Sequence, residues 1–204
     1  MSTPDRVGAR LGVPLRVATV SEPLAPGALS PAERRRFGSL PTDARRRDWL
    51  LGRAVLKALV GAAFDTSALV FPHRRLSLTH AGGTAWAVEA DGGVVGTGVD
   101  FEPARSVVGP RAARFFLGPA ERAAVSTDAD RLRLWTVKEA VFKATPANDR
   151  VVLADYTLDD PAGASGTAAG PRGEELRYAT VAAAGGVLTV AVCLPGRRRR
   201  AAVG

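Results

Sequence analysis

Hydrophobic positions along the chain follow two periods. Between residues 43 and 60, Leu51, Val55 and Leu59 fall on one stripe, the mark of a helix with one buried face. On another face of the same helix Arg46, Arg53 and Lys57 form a basic ridge. A shorter helix is predicted just upstream, with Ser30 as N-cap, Pro31 at the first helical position and Glu33 closing a capping box. Gly118, Pro119 and Glu121 repeat that start, and a second long helix carries Trp135, Glu139 and Lys143 at i, i+4 and i+8 on one face. Period-two alternation marks Leu76-Ser-Leu-Thr-His80 as a strand, and Gly82-Gly83 is a turn signal. In Gly96-Thr-Gly-Val-Asp-Phe-Glu-Pro103 the same period places Asp100 and Glu102 on one face and Val99 and Phe101 on the other. Residues 159–175, rich in Gly, Ala and Pro, read as a flexible loop. Arg197–Arg200 read as a solvated, disordered basic tail from about residue 196.

These elements repeat. Ser-Pro-Ala-Glu-Arg34 aligns with Gly-Pro-Ala-Glu-Arg122, and Trp49-Leu-Leu-Gly-Arg-Ala-Val-Leu-Lys-Ala58 aligns with Trp135-Thr-Val-Lys-Glu-Ala-Val-Phe-Lys-Ala144. The segments flanking these blocks line up in the same order. The pattern predicts an α+β protein of two pseudo-symmetric halves, residues 1–95 and 96–204, joined near residues 92–97. Each half is expected to be a small antiparallel sheet packed with helices, with the active site in the cleft between them.

Composition narrows the class. Apolar residues make up 46% and charged residues 24%, ordinary for a globular chain of this length. No stretch approaches the roughly 18 consecutive apolar residues of a membrane span, and the N-terminal residues lack the apolar core of a secretory signal. A single cysteine, Cys193, cannot form an internal disulfide, which fits a cytoplasmic location. With one cysteine and only His73 and His80, a Cys/His zinc site is excluded. The net charge is +8, so the surface attracts polyanions, phosphorylated cofactors or acidic partners. Of 28 basic residues 25 are arginine, which reads as a bias of the whole chain. Against that bias, two of the three lysines, Lys138 and Lys143, sit on the helix that carries Glu139.

The candidate chemistry lies in two segments. Two carboxylates on one strand face repel each other unless a cation neutralises them. If the Trp135–Lys143 helix crosses that strand, Asp100, Glu102 and Glu139 converge as hard oxygen donors suited to Mg²⁺ held with a substrate diphosphate. Taken singly, a Glu–Lys pair at i, i+4 is an ordinary surface ion pair, and His80 at a strand end is more often a structural residue. Trp49, Trp86 and Trp135 are assigned to packing.

Val99-Asp-Phe-Glu102 followed by Trp135-x-x-Lys-Glu-Ala-x-x-Lys-Ala144 resembles the signature pair of the 4′-phosphopantetheinyl transferase superfamily, and Leu76-Ser-Leu-Thr-His80 resembles its Ser-His strand. The two-half layout is similar to the long, surfactin-synthetase-activating type. The resemblance spans roughly residues 15–195. It implies transfer of the phosphopantetheine arm of coenzyme A to a serine of an acyl or peptidyl carrier protein of secondary metabolism, with release of adenosine 3′,5′-bisphosphate. By resemblance, Asp100, Glu102 and Glu139 hold Mg²⁺, Glu139 is also the base, and Lys143 stabilises phosphate charge. Thr79 and His80 contact phosphates of coenzyme A, and basic residues among Arg34, Arg35, Arg53 and Arg75 bind its adenosine end. The implied protein is a monomer with no membrane and no nucleic-acid partner.

The sequence departs from the family in three places. Phe71-Pro-His-Arg-Arg75 replaces the usual Gly-Lys-Pro turn, Thr79 stands for the serine before the histidine, and Thr-Pro-Ala-Asn-Asp149 replaces the glycines after Ala144. Two rival readings stay open: a coenzyme A-binding relative that has lost catalysis, and a basic nucleic-acid-binding protein. The second lacks interleaved aromatics and any helix-turn-helix or zinc pattern.

Overall fold

The computed structural model describes residues 3–183 and 185–196; the Arg197–Arg200 tail lies outside the described residues. Its helices are α1 (Thr3–Leu11), α2 (Pro31–Gly38), α3 (Asp43–Val60), α4 (Pro110–Ala113), α5 (Pro119–Ala123) and α6 (Asp128–Ala144). Its strands are β1 (Leu15–Val20), β2 (Leu76–Ala81), β3 (Thr84–Ala90), β4 (Gly96–Pro103), β5 (Thr157–Leu158), β6 (Ser165–Ala169), β7 (Glu175–Ala183) and β8 (Gly186–Cys193). They form an α+β protein with two antiparallel sheets, ordered β1-β3-β2 and β4-β8-β7-β6-β5.

Strand alternation sorts the apolar side chains into layers. Ala85 and Ala87 of β3 face Leu51, Val55 and Leu59 of α3, the stripe read from the sequence. The opposite face of β3, with Trp86 and Val88, meets Val99 and Phe101 of β4 and Leu188 and Val190 of β8 between the sheets. Beyond the second sheet, Leu134, Val137 and Val141 of α6 pack on Leu176, Tyr178 and Ala191. The order is therefore α3, sheet, sheet, α6.

Two glycines let α6 come close. A Cβ on Gly98 would lie 1.9 Å from the Ala140 carbonyl oxygen, and one on Gly96 would lie 1.9 Å from that of Ala144. Gly96, Gly98, Asp100 and Glu102 share one strand face, so the contact that seats α6 also aims both carboxylates at it. Gly98→Ala is expected to cost about 1–3 kcal/mol by overpacking as α6 is pushed off β4, measured as a lower midpoint in denaturant.

Two buried ion pairs lock the long helices. Glu33 Oε1 accepts from the Thr66 amide at 2.9 Å and its hydroxyl at 2.6 Å, while Oε2 meets Lys57 Nζ at 3.2 Å. Burial alone would raise the Glu33 carboxyl, but donors on Thr66, Ser30 and Lys57 hold it below the usual carboxylate range. Glu121 accepts from the amides of Gly118 at 2.8 Å and Leu158 at 3.1 Å, and from Lys138 Nζ at 2.7 Å.

Three expectations are corrected. The loop expected over 159–175 contains β6, paired with β7 from Ser165–Ala179 to Ala169–Glu175; its small side chains give no hydrophobic alternation to read. The basic ridge on α3 is not a free face. Lys57 is buried against Glu33, and Arg53 lies 5.1 Å over the Trp49 ring and donates to Thr66 Oγ1 at 3.2 Å. Finally, α1 was not among the expected elements. Only Val7 and Leu11 anchor it, but it touches β1 and β7, and Arg10 donates to the Thr180 carbonyl at 2.9 Å.

Candidate functional site

β2 and β4 meet side by side through side chains rather than a backbone ladder. Thr97 Oγ1 donates to the Arg74 carbonyl at 2.8 Å, and the Val99 amide donates to Ser77 Oγ at 3.0 Å. One step further, Thr79 Oγ1 donates to Asp100 Oδ1 at 3.2 Å. α6 closes the third side. Between these elements lies a pocket of about 430 Å³ lined by Thr79 and His80 of β2, Asp100 and Glu102 of β4, and Trp135, Glu139 and Lys143 of α6. Leu78 and Lys143 also line an adjoining cavity of about 330 Å³ that reaches Phe71, Pro72 and Asn148.

The electrostatics centre on Asp100, which is 5% exposed. Its Oδ1 receives Lys143 Nζ at 2.7 Å, while its Oδ2 is buried with no hydrogen-bond partner. Lys143 also donates to the Val99 carbonyl at 3.3 Å, and Glu102 accepts from Ser106 Oγ at 3.0 Å. Glu139 is half-buried, and its carboxyl is pushed up chiefly by desolvation; Lys143 pulls it down, and the charges of Asp100 and Glu102 push it up again. The pocket thus pairs a partly desolvated carboxylate with an ammonium beside it.

The three carboxylates expected to converge do line one pocket. Among the described residues, however, no group of three His, Cys, Asp or Glu side chains stands close enough to hold a metal ion as arranged. Lys143 occupies Asp100 where a cation would bind. The donor set still suits a hard divalent ion: all three donors are carboxylates, and Asp100 Oδ2 is an orphaned buried oxygen turned to no protein donor. Although it lines the pocket, Asp100 is buried rather than solvent-facing, because β2 covers it.

The remaining candidates are dispersed. Arg34 and Arg35 are exposed on α2, and Arg75 pairs with Glu89 at 2.8 Å. Together with Arg53, none lines either cavity at the site. Lys138 is fully buried on Glu121 and faces away from the pocket. His73 is structural, its Nδ1 accepting the amides of Arg75 at 3.2 Å and Leu76 at 3.0 Å. Trp135, assigned to packing, is a pocket wall with its ring edge-on to Phe116 at 5.1 Å. Its helical spacing from Glu139 and Lys143 is the signal that finds it. Ser106, which holds Glu102, follows the carboxylates by only four residues, but nothing in the residue type marks it.

Residues 96–191 match the 4′-phosphopantetheinyl transferase superfamily. The matched segment runs from the first residue of β4 into β8 and contains Asp100, Glu102, Glu139 and Lys143. Thr79 and His80 lie outside the match. No curated protein matches the chain.

Proposed function

We propose that the protein transfers the 4′-phosphopantetheine group of coenzyme A to a serine hydroxyl of an apo acyl or peptidyl carrier protein. The observation that carries the reading is the superfamily match together with Asp100, Glu102, Glu139 and Lys143 lining one pocket. The serine Oγ forms a bond to the phosphorus next to the pantetheine arm, the diphosphate P–O bond breaks, and adenosine 3′,5′-bisphosphate leaves. Glu139 accepts the serine proton, for which its desolvated carboxylate is suited. Lys143 stands where charge gathers on the leaving phosphate, and an ammonium there stabilises the transition state more than the ground state. His80 at the rim, beside Thr79, contacts phosphate, and Thr79 also holds Asp100 by its hydroxyl.

Asp100, Glu102 and Glu139 would hold Mg²⁺ once Lys143 turns from Asp100 to the substrate. When bound, the ion would supply further neutralisation of phosphate charge.

The long two-half subtype belongs to the same proposal, with residues 1–95 as the coenzyme A side and residues 96–204 as the metal and catalytic side. It is supported by the shared strand order, first-third-second in β1-β3-β2 and in β4-β8-β7, and by the matched buried glutamates Glu33 and Glu121. Because β2, β4 and α6 come from one chain, the active species is a monomer, which sedimentation at micromolar concentration checks. Among the described residues no helix is long and apolar enough to cross a membrane, and we place the protein in the cytoplasm. The decisive experiment incubates it with coenzyme A, Mg²⁺ and a panel of apo-carriers and reads each carrier's mass. Coenzyme A binding without any mass gain would replace this reading with that of a relative that binds but does not transfer.

In the metal-free protein the Glu139 carboxyl should titrate above the ordinary carboxylate range, because burial raises it, and an NMR titration of the side-chain carboxyls checks this. The raised value has a second consequence. Protonation of Glu139 favours the folded state, so its contribution to stability is full at low pH and is lost as pH rises through the folded value. Protonation of Glu139 is therefore not what unfolds the protein in acid. Lys143→Met should move that titration to still higher pH, since it removes the cation that pulls Glu139 down.

A further inference from the structure

Three buried hydroxyls form a chain between the second sheet and α6: Thr180 of β7, Thr189 of β8 and Thr136 of α6. Thr189 Oγ1 stands 2.8 Å from Thr180 Oγ1 and 2.8 Å from Thr136 Oγ1, and Thr136 donates to the Arg133 carbonyl at 2.8 Å. A hydroxyl has one proton to give, so the chain runs one way. Thr180 donates to Thr189, Thr189 to Thr136, and Thr136 to Arg133. The far end is anchored, since the Thr180 amide donates to the Ala164 carbonyl at 2.7 Å and its carbonyl accepts from Arg10 at 2.9 Å. The near end lies beside the pocket. Thr189 pairs with Asp100 across the β4–β8 ladder, so both side chains leave the same face of the sheet. Thr136 follows Trp135 directly and precedes Glu139 by three residues.

We propose that Thr189 is a positioning residue for transfer: by its bond to Thr136 it fixes where α6 holds Glu139 against Asp100 and Glu102. The inference rests on the proposed transfer reaction. Most of the seat of α6 on β4 and β8 sets no register. Gly96 and Gly98 face Ala144 and Ala140 as a smooth groove, and Val137 and Val141 add apolar contact, which is non-directional. Lys143 bonds β4, but it must turn to the substrate and cannot hold the helix meanwhile. Arg133 and Lys138 tie α6 to the 161–163 loop and to Glu121, away from these strands. The Thr189–Thr136 bond is directional and lies about 4.5 Å along the helix axis from Glu139. Valine has the shape of threonine and no polar group to satisfy, so packing alone calls for no hydroxyl here. Displacing the base by about 1 Å is enough to slow the reaction about 100-fold. None of the three hydroxyls lines either cavity at the site, so Thr189 acts through Thr136 and the helix.

The test measures carrier modification by the parent, Thr189→Val, Thr136→Ala, the two combined, and Thr180→Val. Thr189→Val and Thr136→Ala each break the bond between α6 and the sheet. Each should lower kcat about 10- to 100-fold, while KM for the carrier and for coenzyme A stays within about two-fold. The combined variant should be no slower than the slower single one, because both remove the same bond. Thr189→Ser keeps the hydroxyl and should hold kcat within about two-fold of the parent. Thr180→Val also removes one buried hydrogen bond but leaves Thr189 bonded to Thr136, so it should lower the melting temperature and spare kcat. Near-parental kcat in folded Thr189→Val or Thr136→Ala overturns the proposal. So does a loss in Thr180→Val as large as in Thr189→Val, or losses that multiply in the combined variant, since the hydroxyls then serve stability alone. If Thr189→Val does not fold, the comparison of Thr136→Ala with Thr180→Val decides. If the parent modifies no carrier, the transfer reading itself has failed and the positioning role falls with it. A failure of positioning alone leaves transfer by the parent intact.

Discussion

Asp100→Asn is expected to lower the rate of phosphopantetheine transfer by about 10³-fold or more, the scale on which a group stabilising transition-state charge acts. The amide keeps the size of the side chain and can still accept from Thr79, but it removes the negative charge that faces Lys143 at 2.7 Å. It also places an NH₂ or an uncharged oxygen where the orphaned Oδ2 now lies. Because Asp100 is buried rather than solvent-facing, the variant also loses about 1–3 kcal/mol of stability, read as a shift in denaturant midpoint. Circular dichroism of the variant should still match that of the parent. Near-parental turnover by a folded Asp100→Asn protein would remove Asp100 from the chemistry.

Lys138→Met is expected to destabilise the fold by about 3–5 kcal/mol, because it strands Glu121 as a buried unpaired carboxylate. At roughly 2–4 °C per kcal/mol for a protein of this size, the melting temperature should fall by about 10 °C or more. Burial already pulls the Lys138 ammonium below its ordinary range, with Glu121 opposing, so the charge is tolerated only through its partner. Lys138→Met/Glu121→Leu should recover most of the loss, since removing both charges leaves no uncompensated ion, although the amides of Gly118 and Leu158 lose their acceptor. Calorimetry on the three proteins tests the coupling. A double variant no better than Lys138→Met would mean that Glu121 matters as an amide acceptor and not as a counter-ion.

Periodicity and caps exposed the skeleton of the fold. Leu51, Val55 and Leu59 are buried as the stripe requires, Ser30 and Glu33 cap α2 as read, and Asp100 and Glu102 share the face that meets α6. What stayed hidden depended on partners distant in sequence. Lys57 looked like surface charge because nothing local shows that Glu33 will reach it. β6 is held by its backbone ladder to β7, which small side chains do not announce, and α1 has too few apolar positions to set a period. The site was legible as residue types but not as geometry. Spacing alone cannot show that Lys143 would sit on Asp100 and keep the carboxylates from forming a ready metal cage, nor that Arg53 would spend its guanidinium on Thr66 and Trp49.

In a chain with 25 arginines, each of the three lysines is paired with a carboxylate: Lys57 with Glu33, Lys138 with Glu121 and Lys143 with Asp100. The first two side chains are 7% and 0% exposed, and only Lys143 keeps 30%. To an amine-directed reagent the folded protein therefore offers one reachable lysine, and it sits in the cleft. Acylation or reductive methylation of that side chain would report whether the pocket is occupied, and coupling through lysine to a solid support would tether the protein by the very group the proposed reaction needs.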